Sequence, residues 1–301
     1  MTYSIVARDP DTGELGVAVQ TRWPNVGSIV PWAEPGVGAV ATQSFAEESY
    51  GPLGLGRIRD GMEPAEALEG LLADDPGRDT RQVGMVDATG RSAAHTGARC
   101  VEAAGHVTDA NLSIQANMME RATVWPAMAE AYRATDGALA DRLMAALVAG
   151  ESEGGDVRGR QSAAILVVPA AGPAWATRYD LRVEDSRAPL DELARLLRLA
   201  RAYEAFDRAQ QHGEAGAHAA AATSMDEARE LAPDDDQITL WAALFMANAG
   251  RLEDARRLFA EARRAEARSG EHLRRFAAAG HLPPEAATLI AALEADTSAP
   301  A

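Results

Sequence analysis

The first half of the chain consists of short β-prone runs separated by turn sequences. Three pairs of such runs are each joined by a short connection: 3–8 with 15–20, 28–32 with 37–43, and 82–86 with 92–96. The first connection, Asp9-Pro10-Asp11-Thr12-Gly13, concentrates the residues that favour tight turns. Three closely spaced hairpins predict antiparallel β-sheets.

Helical segments and further strands complete residues 1–188. Helical periodicity predicts helices at 51–60, 64–73, 123–134 and 138–149, and β-prone runs occur at 112–117, 162–168 and 174–183. Several strands are apolar without alternation, which predicts that both of their faces are covered. Residues 1–188 are therefore expected to form an α+β fold, a four-layer αββα sandwich of two stacked sheets with helices outside them.

From Pro189 onwards the sequence has the composition and periodicity of helical segments. An amphipathic segment at 190–210 is followed by small residues at packing positions, with Pro233 closing one helix and Gly250 between two others. This pattern resembles one tetratricopeptide repeat with partial flanks. A single repeat cannot bury both of its faces. Residues 189–301 are therefore predicted to form a small all-α helical-repeat module that docks on the first domain or on a second copy of the chain, and we expect a homo-oligomer.

The charge of the chain argues against several classes of partner. The formal net charge is −16 and the sequence pI is near 4.8, so phosphate backbones and anionic membrane surfaces should repel the protein. No apolar run approaches the ~20 residues that span a bilayer, and the first residues lack the basic and apolar regions of a leader. We expect a cytoplasmic protein with no nucleic-acid or membrane partner.

Few residues are suited to metal or cofactor chemistry. All 29 cationic side chains are arginine, which excludes a phosphate-loop lysine and a Schiff-base lysine. Cys100 is the single cysteine, so no intrachain disulfide is possible. His95 and His106 have no partner at metal-ligand spacing. No metal and no cofactor are predicted.

The sharpest candidate for chemistry is Thr2. A small second residue normally allows removal of the initiator Met1, which would leave Thr2 as the first residue of the mature chain. An N-terminal threonine combines a nucleophilic hydroxyl with an α-amine of pKa ~8, which can act as its general base. Thr2 is therefore a candidate nucleophile at the start of the first strand, although threonine is a common second residue and can also stand there without a catalytic role.

Four separated motifs resemble one bacterial family. They are Ser4-Ile5-Val6-Ala7-Arg8-Asp9-Pro10, Gly36-Val37-Gly38-Ala39-Val40-Ala41-Thr42-Gln43, Ser49-Tyr50-Gly51-Pro52 and Gly159-Arg160-Gln161-Ser162-Ala163-Ala164. In this order they are similar to the family known as domain of unknown function 1028, from Thr2 to about Tyr203. The opening hairpin also resembles that of the Ntn hydrolases, whose N-terminal residue is the nucleophile. The resemblance implies an Ntn-hydrolase-like fold.

One feature departs from the wider Ntn superfamily. Its proteasome-like members assist their threonine with a lysine, and this chain has none. Arginine cannot shuttle protons in its place. The expected reaction is therefore hydrolysis of a C–N bond in a small molecule, driven by the α-amine, rather than peptidase activity of the proteasome kind.

Polar residues near strand ends are candidates for substrate contacts. Amide donors on Gln43 and Asn117 are predicted to stabilise the oxyanion of a tetrahedral intermediate, which adds them to the catalytic set. The predicted substrate-binding residues are Gln20, Thr21, Ser44, Gln115, Arg160 and Gln161. Each of these side chains could instead bond to backbone or belong to a solvated loop.

Two functions and one further mechanism remain open at this point. The first function is an N-terminal-nucleophile amidohydrolase that acts on a small-molecule substrate. The second is a non-catalytic binding or scaffold protein, whose helical module mediates assembly. The further mechanism uses an internal hydroxyl as the nucleophile, either another one or that of Ser4, which shares a face of the first strand with Thr2.

Overall fold

The protein contains two compact units. The structure, a computed structural model, describes residues 2–282 and 286–296. The units are Met1–Leu196 and Leu197–Ala301. Within the described residues, all ten strands belong to the first unit, and the second unit is helical.

Two antiparallel sheets form the centre of the first unit. In chain order the strands are β1 (Thr2–Arg8), β2 (Leu15–Thr21), β3 (Pro31–Glu34), β4 (Gly38–Ser44), β5 (Arg81–Asp87), β6 (Ser92–Thr96), β7 (Gly105–Asp109), β8 (Leu112–Asn117), β9 (Ser162–Val168) and β10 (Tyr179–Val183). The six-stranded sheet has the order β10-β9-β2-β1-β8-β7, and the four-stranded sheet has the order β3-β4-β5-β6. Every neighbouring pair is antiparallel, as the hairpin pattern predicted.

Helices cover the outer face of each sheet. In chain order they are α1 (Tyr50–Arg59), α2 (Pro64–Asp74), α3 (Val124–Ala134) and α4 (Leu139–Ser152). The first two pack on the four-stranded sheet and the last two on the six-stranded sheet. The sheets contact each other through β1, β2, β7, β8 and β9 of the six-stranded sheet and all four strands of the other sheet. The first unit is thus a mixed α+β fold.

The central strands are buried on both faces, which explains their continuous apolarity. Val6, Val17 and Val19 pack between the two sheets with apolar residues of β4, β5 and β9. Their neighbours Ile5 and Ala18 point away from that layer and are also fully buried. Burial of one such valine or isoleucine side chain contributes about 1.5–3 kcal/mol to folding.

Three segments differ from the sequence-based expectation. The strand expected at 174–183 begins only at Tyr179, because Ala174 and Trp175 lie in a turn. The strand expected at 28–32 begins later, at Pro31, because Val26–Ser28 forms a 3-10 turn whose Val26 packs between the sheets. The strand β7 was not predicted, because its side chains are mostly exposed and its sequence lacks an apolar pattern.

The turn between β5 and β6 is organised by one buried carboxylate. Asp87 Oδ1 accepts hydrogen bonds from the backbone nitrogens of Thr89 and Arg91, both at 2.9 Å, and Asp87 Oδ2 accepts one from Arg91 Nε at 2.6 Å. Burial raises the pKa of Asp87, but the hydrogen bonds from Thr89 and Arg91 outweigh it and leave this pKa below its ordinary value. The turn is therefore stabilised by the ionised carboxylate.

The substitution Asp87→Asn should lower the free energy of unfolding by about 2 kcal/mol at pH 7, because charge-assisted hydrogen bonds are lost. The folded-state pKa lies below the unfolded value of ~3.9, so the stabilisation is present above pH ~4 and is lost as the pH falls through the folded pKa. Urea unfolding at pH 7 and pH 3 should show the difference between the two proteins shrinking at pH 3. A difference that stays constant would contradict this account.

Helices make up the second unit. The long helix α5 (Pro189–Glu214) contains the boundary between the units and is followed by α6 (His218–Leu231), α7 (Asp236–Asn248), α8 (Leu252–Ala265), α9 (Ser269–Ala278) and α10 (Ala286–Asp296). Their shared core includes Met225, Ile238 and Phe259, all fully buried. In the described part of the chain, no helix is both long and apolar enough to cross a membrane.

Candidate active site

A cavity of about 340 Å³ lies where β1, β2 and β4 come together, between the two sheets. Thr2 at the start of β1 and Thr21 at the end of β2 are directly paired in the six-stranded sheet. Both line the cavity, together with Gln43 and Ser44 at the end of β4. The structure thus brings four of the predicted site residues to one place.

Thr2 is nearly buried, with 5% of its surface exposed. Its Oγ1 donates a hydrogen bond to Thr21 Oγ1 at 3.1 Å. The hydroxyl therefore lies at the cavity wall and is oriented by a neighbouring strand. Met1, whose removal the sequence predicts, lies outside the described residues.

Two side-chain amides hold the carbonyl oxygen of Thr2. Gln43 Nε2 donates to it at 3.1 Å, and Asn117 Nδ2 donates to it at 3.3 Å. The same two nitrogens also donate to Gln82 Oε1, at 2.8 and 2.7 Å respectively. Each amide has two hydrogens, so acceptors inside the protein already engage both of these donor groups. In this arrangement Gln43 and Asn117 fix the position of Thr2.

Gln82 is the centre of this network, and the sequence analysis did not single it out. Its amide nitrogen donates to the carbonyl oxygen of Ala116 at 2.8 Å, and its oxygen accepts from Gln43 and Asn117. Gln82 is fully buried. The available signal was a buried-strand glutamine directly before the apolar run Val83–Val86, one residue from the end of its strand, as Gln43 is in β4.

Deeper between the sheets, the network continues through Ser4 and Gln115. Gln115 Nε2 donates to Ser4 Oγ and Ser4 Oγ donates to Gln43 Oε1, both at 2.6 Å. Gly84 leaves the space for this chain of bonds, because a Cβ there would lie 2.0 Å from Gln115 Oε1. Both Ser4 and Gln115 are fully buried and neither lines the cavity.

Ser44 has a strained backbone conformation, and its hydroxyl has no hydrogen-bond partner in the described part of the chain. Its φ of 71° lies in the left-handed region, which a non-glycine residue seldom adopts. Its Oγ is buried, and among the described residues it has no hydrogen-bond partner. Strain and an unsatisfied polar atom at a cavity wall are features that cluster at functional sites.

An ion pair that the sequence analysis did not place at the site lies at the cavity edge. Arg158 lines the cavity and is paired with Asp156, whose buried Oδ2 accepts from Arg158 Nη2 at 2.7 Å. The same oxygen accepts from the backbone nitrogen of Arg22 at 3.0 Å, next to Thr21. The sequence analysis named Arg160, two residues further on, because a sequence does not reveal which arginine turns inward.

Three other predicted residues lie away from the cavity. Gln20 is on the opposite face of β2, with its Oε1 2.7 Å from the hydroxyl of Tyr3. Arg160 pairs with Glu151 at 3.4 Å, and Gln161 Nε2 donates to Asp185 at 3.1 Å. Burial and the neighbouring Glu151 raise the pKa of Tyr3 well above its ordinary value, so this hydroxyl remains protonated.

Other parts of the described chain offer less chemistry. A hollow of about 450 Å³ in the second unit is lined mainly by aromatic and apolar residues, including Trp241, Phe245 and Phe276. Its described lining contains no serine, threonine or cysteine. Within residues 2–282 and 286–296, no group of three or more His, Cys, Asp or Glu side chains is placed to hold a metal ion.

Comparisons with known proteins connect most of the first unit to one family. The family of unknown function DUF1028 matches residues 2–193. The crystal structure of SPO2555 from Silicibacter pomeroyi, described as DUF1028, is 34% identical, covers 65% of this chain and 87% of its own length, and superposes with a TM-score of 0.60. Anbu (ancestral beta-subunit) from Yersinia bercovieri is 11% identical over 64% of this chain and 91% of its own, with a TM-score of 0.34, too low to support an argument. Among curated proteins, none matches the chain. On the match over residues 2–193 and the similarity to SPO2555, the protein belongs to the DUF1028 family.

Proposed function

We propose that this protein is an N-terminal-nucleophile hydrolase that cleaves a C–N bond of a small molecule, with Thr2 as nucleophile after removal of Met1. The observation that carries the proposal is the position of Thr2, at the wall of a cavity with its hydroxyl and its carbonyl both held by hydrogen bonds. The order of layers, with two helices outside each of two antiparallel sheets, supports an Ntn-hydrolase-like αββα sandwich.

The proton transfers of the proposed reaction need only groups of residue 2, the substrate and water. Thr2 Oγ1 attacks the carbonyl carbon of an amide, and its proton passes to the α-amine. The C–N bond breaks, and the leaving amine takes up that proton, which leaves an ester on Thr2. Water then attacks the ester carbonyl, gives one proton to the α-amine, and releases the carboxylic acid as Oγ1 is reprotonated.

The surrounding polar groups have separate tasks in this proposal. Gln43 and Asn117 hold the Thr2 carbonyl, and the buried Oδ1 of Asn117, which has no partner among the described residues, is an acceptor for the α-ammonium group. The hydroxyl of Ser44 is the donor for the developing oxyanion, because its proton is not committed elsewhere in the described structure. Gln43 and Asn117 are then positioning residues rather than oxyanion donors.

The proposal is tested by intact mass spectrometry of the full chain, produced with its natural start and a C-terminal tag. The mass is recorded before and after treatment with β-propiolactone, whose ring opening adds the whole lactone to a nucleophile. We expect a mass that lacks Met1 and one adduct, which peptide mapping places on Thr2. A retained Met1, or an adduct on other residues alone, would contradict the mechanism and favour the non-catalytic binding or scaffold function.

The sequence also led to predictions about assembly and cellular location, which are separate from this proposal. A homo-oligomer, a tetratricopeptide-like module at residues 189–301 and a cytoplasmic location remain predictions from the sequence. Light scattering on the full chain would determine the oligomeric state directly.

A further inference from the structure

We infer that the cavity beside Thr2 selects amides whose acyl group is apolar and uncharged. This inference rests on the proposed function, because it assigns the acyl side of the substrate to the cavity that Thr2 lines. It adds the chemical class of the acyl group to the proposed reaction.

Apolar side chains form much of the cavity wall, beside the polar residues around Thr2. Val26 and Val30 are 3% exposed and, with Ile29, face the space from the segment that contains the 3-10 turn. At the rim stand Trp23 and Phe45, which are 59% and 56% exposed. An acyl chain that leaves the cavity would therefore continue over two aromatic surfaces that water otherwise covers.

The charges at the cavity disfavour an ionic acyl group. Arg158 is the one ionisable side chain in the described lining, and its guanidinium is occupied by the buried Asp156 through Nε at 3.0 Å and Nη2 at 2.7 Å. A carboxylate on the substrate would have to compete with Asp156. A cationic substrate would meet Arg158, and the described lining contains no carboxylate. Burial of either charge without a partner is costly.

The size of the cavity limits the acyl group. Its volume of about 340 Å³ equals that of roughly eleven water molecules, each with a share of about 30 Å³. The cavity is also at the small end of ligand-binding sites. A short aliphatic or small aromatic acyl group fits, and a folded peptide segment does not.

The test uses β-lactones with methyl, propyl and pentyl side chains, and two further lactones of pentyl length that end in a carboxylate or a trimethylammonium group. The rate of Thr2 acylation is measured by intact mass. For the uncharged series we expect the rate constant at low lactone concentration to rise about fourfold per methylene group until the cavity is filled. Each charged lactone should react at least about tenfold more slowly than the uncharged pentyl compound. Equal rates for charged and uncharged lactones would overturn the inference while leaving Thr2 as the nucleophile.

A variant that fills the cavity provides a second test. Ala46 lines the cavity from an exposed loop, so Ala46→Trp should leave the fold intact and reduce labelling by the pentyl lactone at least about tenfold. Labelling by the methyl lactone should change less than about threefold. Ala134→Trp is the matched control, because Ala134 is also exposed and does not line the cavity. Equal losses for both lactones in the Ala46 variant would count against an acyl pocket.

A binding experiment separates failure of this inference from failure of the proposed function. If no lactone labels Thr2, the hydrolase proposal fails, and the pocket is tested alone with the Thr2→Ala protein. We then expect hexanamide, measured by calorimetry, to bind at least about tenfold more tightly than 6-aminohexanamide or adipamate. Equal affinities, or no measurable affinity for hexanamide, would overturn the inference as well.

Discussion

Replacing Thr2 with alanine should reduce β-lactone acylation at residue 2 at least about a thousandfold, because the variant removes the attacking oxygen and leaves the cavity walls in place. The same loss should follow when a short, uncleaved extension precedes Thr2, because the amide nitrogen that replaces the α-amine cannot accept a proton. Labelling of the natural protein should rise with pH up to about 8 and then level, as an ordinary α-amine loses its proton.

The conservative variant Thr2→Ser keeps both the hydroxyl and the amine and should retain labelling within about tenfold. Folding is checked by urea unfolding, since loss of the 3.1 Å bond to Thr21 in Thr2→Ala should cost only about 1 kcal/mol. A Thr2→Ala protein that is folded and still labelled at its usual rate would assign the chemistry to another residue. Ser4 is a poor replacement, because it is fully buried and does not line the cavity.

Most strands and helices of the first unit could be predicted from the sequence, because they depend on local sequence patterns. Turn sequences such as Asp9–Gly13 specify hairpins, and uninterrupted apolar strands require cover on both faces. Asp9 Oδ1 indeed accepts from the backbone nitrogen of Asp11 at 2.9 Å, and Gly13 has a φ of 76°. The strand β7 escaped this reasoning because an exposed strand needs no apolar pattern, only a partner with free backbone groups such as β8.

The candidate site could be predicted only in part, because the residues that meet there depend on the strand register. The polar residues near strand ends were identified, and Thr2, Thr21, Gln43 and Ser44 do share one cavity. Gln20 was grouped with them, although one step along a strand turns its side chain to the other face. What a sequence cannot show is which amide proton meets which acceptor. The role of Gln82, which joins Gln43 to Asn117, therefore emerged only from the packing of one sheet on the other.

The substitution Gln82→Met should be strongly destabilising, although Gln82 itself does not line the cavity. Methionine has a similar length but offers no strong hydrogen-bonding group, so Asn117 Nδ2 and the Ala116 carbonyl each lose a partner in a buried region. Gln43 Nε2 also loses one acceptor and keeps the carbonyl oxygens of Thr2 and Gln115. Unsatisfied buried groups cost about 1–3 kcal/mol each, and partial relaxation brings the expected loss in the free energy of unfolding to about 3 kcal/mol. Urea unfolding of the full chain measures this loss.

The same substitution distinguishes a positioning role from a purely structural one. Gln43 and Asn117 hold the Thr2 carbonyl through the nitrogens that Gln82 also anchors, so their release should displace the nucleophile and slow its acylation about tenfold to a hundredfold per folded molecule. Gln211→Met on the exposed surface of α5 is the matched control and should change neither quantity. If Gln82→Met lowers stability while the acylation rate of the folded fraction stays unchanged, the network serves the fold alone. If both the free energy of unfolding and the acylation rate fall, the hydrogen-bond network around Gln82 also positions Thr2.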